Sequence, residues 1–198
     1  MADQSRKAEQ FRALHIHGKP LVLFNIWDAG SAKAVAKAGA KAIATSSWSV
    51  ANANGFCDGE RIPLPWAIEN LRLIVSATNL PVTFDLESGY GDAPEAVGKT
   101  IAQAIEAGAV GCNLEDSFPG DGKLRETIDQ VNRIRCARET ADAADVCVSL
   151  SMLGRTCFSS DRPKSMTVRW SLKRSSEHVL TRKPVRMGSL RLGWQISG

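Results

Sequence analysis

The sequence has few of the features that mark disulfide-rich, zinc-binding or membrane-spanning proteins. Its five cysteines are scattered, odd in number and never spaced as Cys-x-x-Cys, which argues against a disulfide framework and favours a reduced, cytoplasmic setting. No apolar run approaches the roughly 20 residues of a membrane-spanning helix, and no signal-peptide core follows the N-terminus. The chain has 198 residues, which is long enough for one domain with a substantial core. We therefore expect one such domain and no membrane partner.

Alanine and acidic residues become scarce toward the C-terminal end. No alanine follows Ala144, and residues 148–198 hold 10 of the 25 Lys and Arg but only two of the 21 Asp and Glu. The net charge is therefore −4 for residues 1–147 and +8 for residues 148–198. A basic stretch with interleaved tryptophans can indicate nucleic-acid binding, but this one has no motif and little helical period. We predict a boundary near residue 147, a disordered or out-of-frame tail beyond it, and no nucleic-acid partner.

Residues 1–147 alternate between short apolar runs and amphipathic segments. The runs are continuous rather than alternating, as in strands that are buried on both faces of a parallel sheet. Glycines in two Ala-Gly-Ala segments, 38–40 and 107–109, end helices just before strands. Four βα units in a row with short connections indicate a parallel sheet or barrel, although a complete eight-stranded barrel takes about 250 residues. We predict helices at 4–17, 31–37, from 63, from 94 and at 126–143, and strands at 21–28, 41–47, from 82 and at 110–116.

The third predicted strand ends in two carboxylates at alternate positions, Asp85 and Glu87, followed by a Gly-rich loop. Alternate residues of a strand point to the same face, and two buried like charges are costly unless a cation lies between them. Oxygen ligands favour Mg²⁺, with Mn²⁺ as the alternative. The next strand ends at Glu115, and chemistry gathers at the carboxyl ends of parallel strands. The alternative interpretation is an ordinary strand end with solvated acids.

Other polar residues at the predicted strand ends carry weaker signals. Ser46 and Ser47 follow the second strand, but serines often cap strand ends. Asp28 precedes Ser31 at the start of a predicted helix, so we interpret it as an acid that caps the helix or that supports a metal ligand through a hydrogen bond, rather than as a ligand itself.

Five segments of residues 8–147 resemble the isocitrate lyase/phosphoenolpyruvate mutase family, in order and in register. The resemblance implies an α/β fold, the (β/α)8 TIM barrel of the phosphoenolpyruvate mutase type, of which residues 1–147 supply the N-terminal half. It also implies Mg²⁺-dependent making or breaking of C–C or P–C bonds next to a 2-oxo or 2-hydroxy carboxylate. The segments are 25–32 (NIWDAGSA), 44–47 (ATSS), 58–60 (DGE), 85–91 (DLESGYG) and 113–117 (NLEDS).

The resemblance also assigns roles to individual residues. Asp85 matches the closest metal ligand and a substrate-binding position, and Glu87 and Glu115 would hold the ion through direct or water-bridged contacts. The positions of Ser46 and Ser47 match those that grip the substrate carboxylate and carbonyl oxygen, and Ser46 is also a predicted catalytic residue. Asp58 matches a catalytic acid on a mobile loop over the site. Intact family members are commonly homotetramers, which is doubtful for this chain because C-terminal helices take part in that assembly.

The loop after the fourth strand differs from the isocitrate and methylisocitrate lyases of the family. Those enzymes carry Lys-(Lys/Arg)-Cys-Gly-His there, and the cysteine serves as a proton donor. Residues 118–124 read FPGDGKL, without cysteine or histidine. The difference favours the decarboxylase, phosphonopyruvate hydrolase or mutase branch.

The second difference affects the strand that follows. Family members end it in Asn-Ala-Arg-Thr-Asp, whose arginine binds the substrate, whereas residues 150–158 read LSMLGRTCF. One set of codons that encodes these nine residues, when translated in the frame that starts at its third base, gives Ile-Asn-Ala-Arg-Thr-Asp-Val-Phe. We hypothesise a frameshift near residues 147–149, which resequencing of the gene would disprove if the codons exclude that motif. Arg155 does not inherit the role of the family arginine, because its surroundings do not match.

Two functions are therefore expected from the sequence. The first is a cytoplasmic Mg²⁺-dependent lyase acting on a small 2-oxo or 2-hydroxy carboxylate such as oxaloacetate or phosphonopyruvate. The second is a catalytically inactive, truncated family member that lacks the substrate-binding arginine.

Overall fold

The computed structural model describes residues 2–144 and, as backbone, residues 149–153. Helices and strands alternate along the chain from the second element onward, with one additional helix after the second strand. The elements are α1 (Ala2–Ala13), β1 (Phe24–Ile26), α2 (Ala29–Lys37), β2 (Ile43–Thr45), α3 (Ser47–Ala53), α4 (Leu64–Ser76), β3 (Val82–Asp85), α5 (Pro94–Glu106), β4 (Gly111–Glu115), α6 (Thr127–Ala143) and β5 (Ser149–Leu153).

The strands form one parallel sheet in the sequential order β1-β2-β3-β4-β5. Ile43 of β2 is in register with Phe24 of β1 and Val82 of β3, and Gly111 of β4 is in register with Thr83 of β3. Sequential parallel order requires a crossover after every strand, and helices supply the crossovers. The predicted α/β class with consecutive βα units is confirmed, and all the carboxyl ends of the strands lie at one edge.

The core lies between the sheet and the helices α4, α5 and α6. The predicted apolar stripe of α5 is buried as expected, at Val97, Ile101, Ala104 and Ile105. Pro94 occupies the first turn of α5, where its missing N–H leaves no intrahelical hydrogen bond unmade. The buried face of this helix belongs to the same core cluster as residues of β3 and β4, so the loop that leads into it from β3 ends at a fixed place.

Two elements differ from the sequence prediction. Helix α3 follows β2 directly, because Ser46 ends the strand in an extended conformation and its hydroxyl accepts the N–H of Ser49 at 3.4 Å. Strand β5 lies within the predicted tail and pairs with β4 from Gly111 to Glu115. The rest of the predicted tail, residues 154–198, lies outside the described residues, as do residues 145–148, so the boundary near residue 147 stays a prediction.

No helix in the described part of the chain is both long enough and apolar enough to span a bilayer.

The two glycines that end α2 and α5 give a matched test of packing. Both have left-handed backbones, with φ +94° at Gly39 and +100° at Gly108. A Cβ at Gly39 would meet nothing within 4 Å, whereas one at Gly108 would lie 2.7 Å from Cγ1 of Val75. We expect Gly39→Ala to lower the free energy of unfolding by about 1 kcal/mol and Gly108→Ala by about 2–4 kcal/mol, because only the second adds overpacking to backbone strain. Urea unfolding of both variants measures the difference, and equal losses would contradict it.

Candidate active site at the carboxyl edge of the sheet

The predicted site residues lie where β2, β3 and β4 end. Asp85 is the last residue of β3 and Glu115 the last of β4, and Ser46 and Ser47 follow β2 directly. The Ser46 N–H donates to the carbonyl of Ile26 at 3.3 Å, so β1 and β2 remain joined up to this edge. The parallel topology thus brings residues that are far apart in sequence to one edge of the sheet.

Asp85 is fixed by donors from the end of β2. Its Oδ2 accepts the Ser47 N–H at 3.0 Å, and its own N–H donates to the hydroxyl of Thr45 at 2.8 Å. Burial raises the pKa of Asp85 above its usual range, against the opposing effect of the hydrogen bonds from the Ser47 backbone and hydroxyl. The carboxylate is therefore held in place by the backbone and hydroxyl of Ser47.

Glu87 reaches the same region by a different route from the one predicted. Strand β3 ends at Asp85, and Glu87 has a left-handed backbone with φ +52°, so strand alternation does not set its direction. Its Oε2 accepts the Glu60 N–H at 2.5 Å, and the Tyr90 hydroxyl lies 3.4 Å from its Oε1. Glu87 is 5% exposed, and burial together with the charges of Asp58, Glu60 and Asp85 raises its pKa to about 7.

Glu60 is a site-forming residue that the sequence interpretation did not single out. Its Oε1 accepts the Ser88 hydroxyl at 2.6 Å and the Tyr90 N–H at 2.8 Å, while its own N–H donates to Glu87. This reciprocal pair ties the loop that carries Asp58 to the loop after β3. The only sequence signal is the Asp-Gly-Glu segment at 58–60, where Glu60 follows a left-handed Gly59 and is itself left-handed at φ +58°.

Two adjoining cavities share Glu87. The smaller, about 10 Å³, is lined by Thr45, Ser47, Asp85, Glu87 and Tyr90 among others, and it has room for one water molecule or ion. The larger, about 110 Å³, has Glu87 and Ser88 on one side and is otherwise lined by residues of the loop after α3 and of the β4–α6 segment. These are Asp58, Gly59, Glu115, Ser117, Phe118, Pro119 and Gly120.

The three predicted metal ligands are not assembled as one direct coordination set. Within the described ranges, no three His, Cys, Asp or Glu side chains lie close enough together to hold one metal ion. Asp85 and Glu87 line the smaller cavity, and Glu87 and Glu115 line the larger one. The donor chemistry nevertheless fits a hard divalent cation. Burial, with neighbouring carboxylates as a smaller cause, raises the pKa of both Asp85 and Glu87, and a cation between them would stabilise their charged forms.

Glu115 is oriented by its own segment. Its Oε2 accepts the Ser117 hydroxyl at 2.9 Å, its carbonyl accepts the Gln130 side-chain amide at 3.2 Å, and its N–H donates to the carbonyl of Glu87 at 2.7 Å. The last bond joins the ends of β3 and β4 beyond their ladder. It sets the distance between the backbones that carry the two glutamates.

The remaining predicted residues have distinct positions. Asp58 is exposed at the mouth of the larger cavity, and Ser47 lines the smaller one. Ser46 lines neither cavity, and its hydroxyl is engaged as the cap of α3. The capping interpretation of Asp28 is confirmed, since its Oδ1 accepts the Ser31 N–H at 2.6 Å and the Ser31 hydroxyl accepts the Asp28 N–H.

Comparisons with known proteins show which families and folds the chain resembles. A solved structure from Burkholderia cenocepacia J2315, described as a "putative phosphonomutase", is 51% identical, with a TM-score of 0.77 over 81% of this chain and 64% of that one. A 2-methylisocitrate lyase of Escherichia coli K12 is 31% identical over 107 residues, 54% of this chain and 36% of its own length. An uncharacterised Mycobacterium tuberculosis H37Rv protein is 38% identical over 111 residues, which are 54% of this chain and 40% of that protein.

The chain thus spans about two fifths of the curated relatives that it matches. The solved neighbours are TIM barrels of one superfamily, which accounts for the sequential parallel strands. A family model described as phosphoenolpyruvate phosphomutase matches residues 11–175. The chain belongs to that family.

Proposed function

We propose that this chain provides the metal-binding side of a Mg²⁺-dependent lyase that cleaves a C–C or P–C bond beside a 2-oxo or 2-hydroxy carboxylate, such as oxaloacetate or phosphonopyruvate. The observation that carries the proposal is the sharing of Glu87 by two adjoining cavities, whose other acids are Asp85 on one side and Asp58 and Glu115 on the other. Membership of the family supports it. Mn²⁺ is the alternative ion.

Asp85 and Glu87 would hold the ion, with Glu115 contacting it through water. When bound, Mg²⁺ supplies a Lewis acid that stabilises the negative charge developing on the 2-oxo oxygen. Ser47 keeps Asp85 in place through its N–H and its hydroxyl. Because Ser47 also lines the smaller cavity, its hydroxyl would lie near a substrate oxygen that binds the ion. The charge of the site is otherwise negative, and an anionic substrate would be repelled without the cation.

The larger cavity is suited to the substrate carbon chain. Asp58 and Gly59 cover one side of it and Phe118 to Gly120 the other, and a Cβ at Gly59 would lie 3.7 Å from the Gly120 nitrogen. The two loops therefore approach closely, which limits water access to the bond that breaks. Asp58 at the mouth would be placed to hold or transfer a proton at the reacting carbon.

A second candidate, a catalytically inactive metal-binding member, is favoured by one observation. Neither cavity has a lysine or arginine among its described lining residues. A dicarboxylate substrate is usually gripped by a guanidinium, which makes paired hydrogen bonds to carboxylate oxygens. Residues 154–198, which include the segment where the family arginine is expected, lie outside the described residues.

The two candidates predict different outcomes in one assay. We expect the purified protein with Mg²⁺ to release pyruvate from oxaloacetate or from phosphonopyruvate faster than Mg²⁺ alone does, and EDTA to remove the difference. Pyruvate is followed by reduction with lactate dehydrogenase, with phosphate release measured in parallel for the second substrate. Folded protein that shows no rate above the metal-only background with either substrate would contradict the lyase proposal and support the inactive member.

A further inference from the structure

Arg133 of α6 is the largest side chain that is fully buried in the described structure, with 1% exposure. Its guanidinium forms no ion pair at contact distance with any residue that the structure describes. Instead, Nη1 donates to the carbonyls of Gly91 and Asp92 at 2.6 Å each, and Nη2 donates to the carbonyl of Ser88. A planar guanidinium presents several N–H groups in a fixed fork, which an ammonium group cannot reproduce. Arg133 thus holds three backbone carbonyls of the loop after β3.

This loop has a backbone that needs external support. Glu87, Gly89 and Tyr90 have φ values of +52°, +101° and +55°, and left-handed conformations are unfavourable for residues with a side chain. A Cβ at Gly89 would lie 2.9 Å from Leu114 Cδ1 and 3.3 Å from Nη2 of Arg133, so the loop is pressed against both. The strained backbone is therefore maintained by its surroundings rather than by local preference.

A second buried arginine fixes the far end of the same loop. The Nη2 of Arg125, whose residue is 8% exposed, donates to Oδ1 of Asp92 at 2.8 Å, and its guanidinium lies 4.1 Å from the centre of the Phe118 ring. Phe118 lines the larger cavity. The loop from Ser88 to Asp92 is consequently held between two guanidinium groups, of which only Arg133 contacts its backbone carbonyls.

We infer that Arg133 is a positioning residue: by holding the loop 88–92 it maintains the left-handed backbone at Glu87, Gly89 and Tyr90, which directs the Glu87 carboxylate into the two cavities. It lines neither cavity and contacts the loop at backbone carbonyls, so it acts through the backbone of the loop. The inference that Arg133 affects metal binding rests on the proposed function, whereas the inference that Arg133 holds the loop does not. A purely structural role would lower the stability of the whole fold without a specific effect on the loop or on Glu87.

Hydrogen exchange of the loop separates these two roles. We expect Arg133→Lys to increase exchange of the peptide containing the amides of Gly89 and Tyr90 by about tenfold or more relative to the rest of the sheet. Arg135→Met, an exposed arginine of the same helix, should leave the loop unchanged. Gly108→Ala serves as the destabilised control, because its contact with Val75 lies away from the loop. Exchange of the loop that is unchanged in Arg133→Lys, or raised equally in Gly108→Ala, would overturn the inference.

Binding of Mn²⁺ alone, followed by electron paramagnetic resonance, gives the second readout. We expect Arg133→Lys to weaken Mn²⁺ binding by about tenfold, with Arg135→Met and Gly108→Ala close to wild type. Equal Mn²⁺ affinity in wild type and Arg133→Lys would overturn the link to Glu87. If the wild-type protein binds no Mn²⁺, the metal-dependent proposal fails, and the exchange of the loop still decides the role of Arg133.

The unaltered protein provides a test that does not depend on a variant folding. If Arg133 holds the loop, the amides of Gly89 and Tyr90 can exchange only when the contact with α6 is broken. Their protection factors should then agree with those of the α6 amides around Arg133 within about threefold. Loop amides that exchange at least about tenfold faster than these α6 amides would overturn the inference.

Discussion

The Asp85→Asn variant is expected to lose Mg²⁺-dependent release of pyruvate by about a hundredfold or more, while the protein stays folded. The asparagine side chain keeps an oxygen that can accept the Ser47 N–H, so the main hydrogen bond of Asp85 is retained. What it removes is one of the two negative charges at the smaller cavity, where a divalent cation would be held. The pyruvate assay on wild type and variant, at several Mg²⁺ concentrations, measures the loss.

Asp121→Asn is the matched control for this substitution. Asp121 lies on the β4–α6 segment, pairs with the exposed Lys123 at 3.1 Å, and lines neither cavity. It should keep the wild-type rate, since the same chemical change occurs outside the site. A wild-type rate for Asp85→Asn would show that the charge of Asp85 is not needed and would remove the basis for placing the ion there.

The fold was largely predictable because burial on both faces of a parallel strand leaves a clear signal. The runs from 21 to 28 and from 41 to 47 contain β1 and β2, and the helix predicted at 126–143 is Thr127–Ala143 in the structure. The ends of α2 and α5 could also be predicted from the sequence, since Gly39 and Gly108 follow them and have the left-handed backbones that favour glycine. Helix α3 was missed because its start depends on one serine hydroxyl, and serine precedes many loops as well as helices.

The site was only partly predictable, because the direction of several side chains is set by distant contacts. Alternation along β3 applies to Asp85 but stops there, and Glu87 is directed by a left-handed backbone that non-glycine residues rarely adopt. The sequence shows no local reason for that conformation. Its support comes from Glu60 in one loop and from Arg133 in a helix 45 residues beyond Ser88. The Asp-Gly-Glu segment marks the loop of Glu60 but not its contact with Glu87, and no sequence pattern marks Arg133 before the fold is known.

The geometry also changes how the acids are understood. A row of carboxylates at strand ends predicts a single three-ligand site, but the described residues contain two cavities that share one glutamate. A cation beside Asp85 and Glu87 would leave Glu115 facing the neighbouring cavity. A water molecule or a substrate oxygen could then lie between the cation and the Glu115 carboxylate. The arrangement therefore requires few direct protein ligands, as is usual for Mg²⁺, which dehydrates reluctantly.

Glu87→Gln is expected to stabilise the metal-free protein at pH 8 and to abolish further stabilisation by Mg²⁺. Glutamine keeps an oxygen for the Glu60 N–H and places an amide near the Tyr90 hydroxyl, so the hydrogen bonds are preserved while a buried charge is removed. Because the pKa of Glu87 is raised to about 7 in the folded state, the gain in the free energy of unfolding is on the order of 3 kcal/mol. Thermal and urea unfolding with EDTA, and then with Mg²⁺, measure both effects.

The sign of this effect depends on pH in a specific way. A carboxyl whose folded-state pKa is raised destabilises the fold once the unfolded chain ionises, so the penalty is absent below the ordinary pKa of 4.5 and complete above about pH 7. The stability of Glu87→Gln and wild type should therefore converge near pH 4 and separate between pH 4.5 and 7. Glu139→Gln, an exposed glutamate of α6, should show no such separation. A Glu87→Gln variant that is less stable than wild type at pH 8 without metal would show that the charge of Glu87 is compensated within the fold, and the need for a cation would disappear.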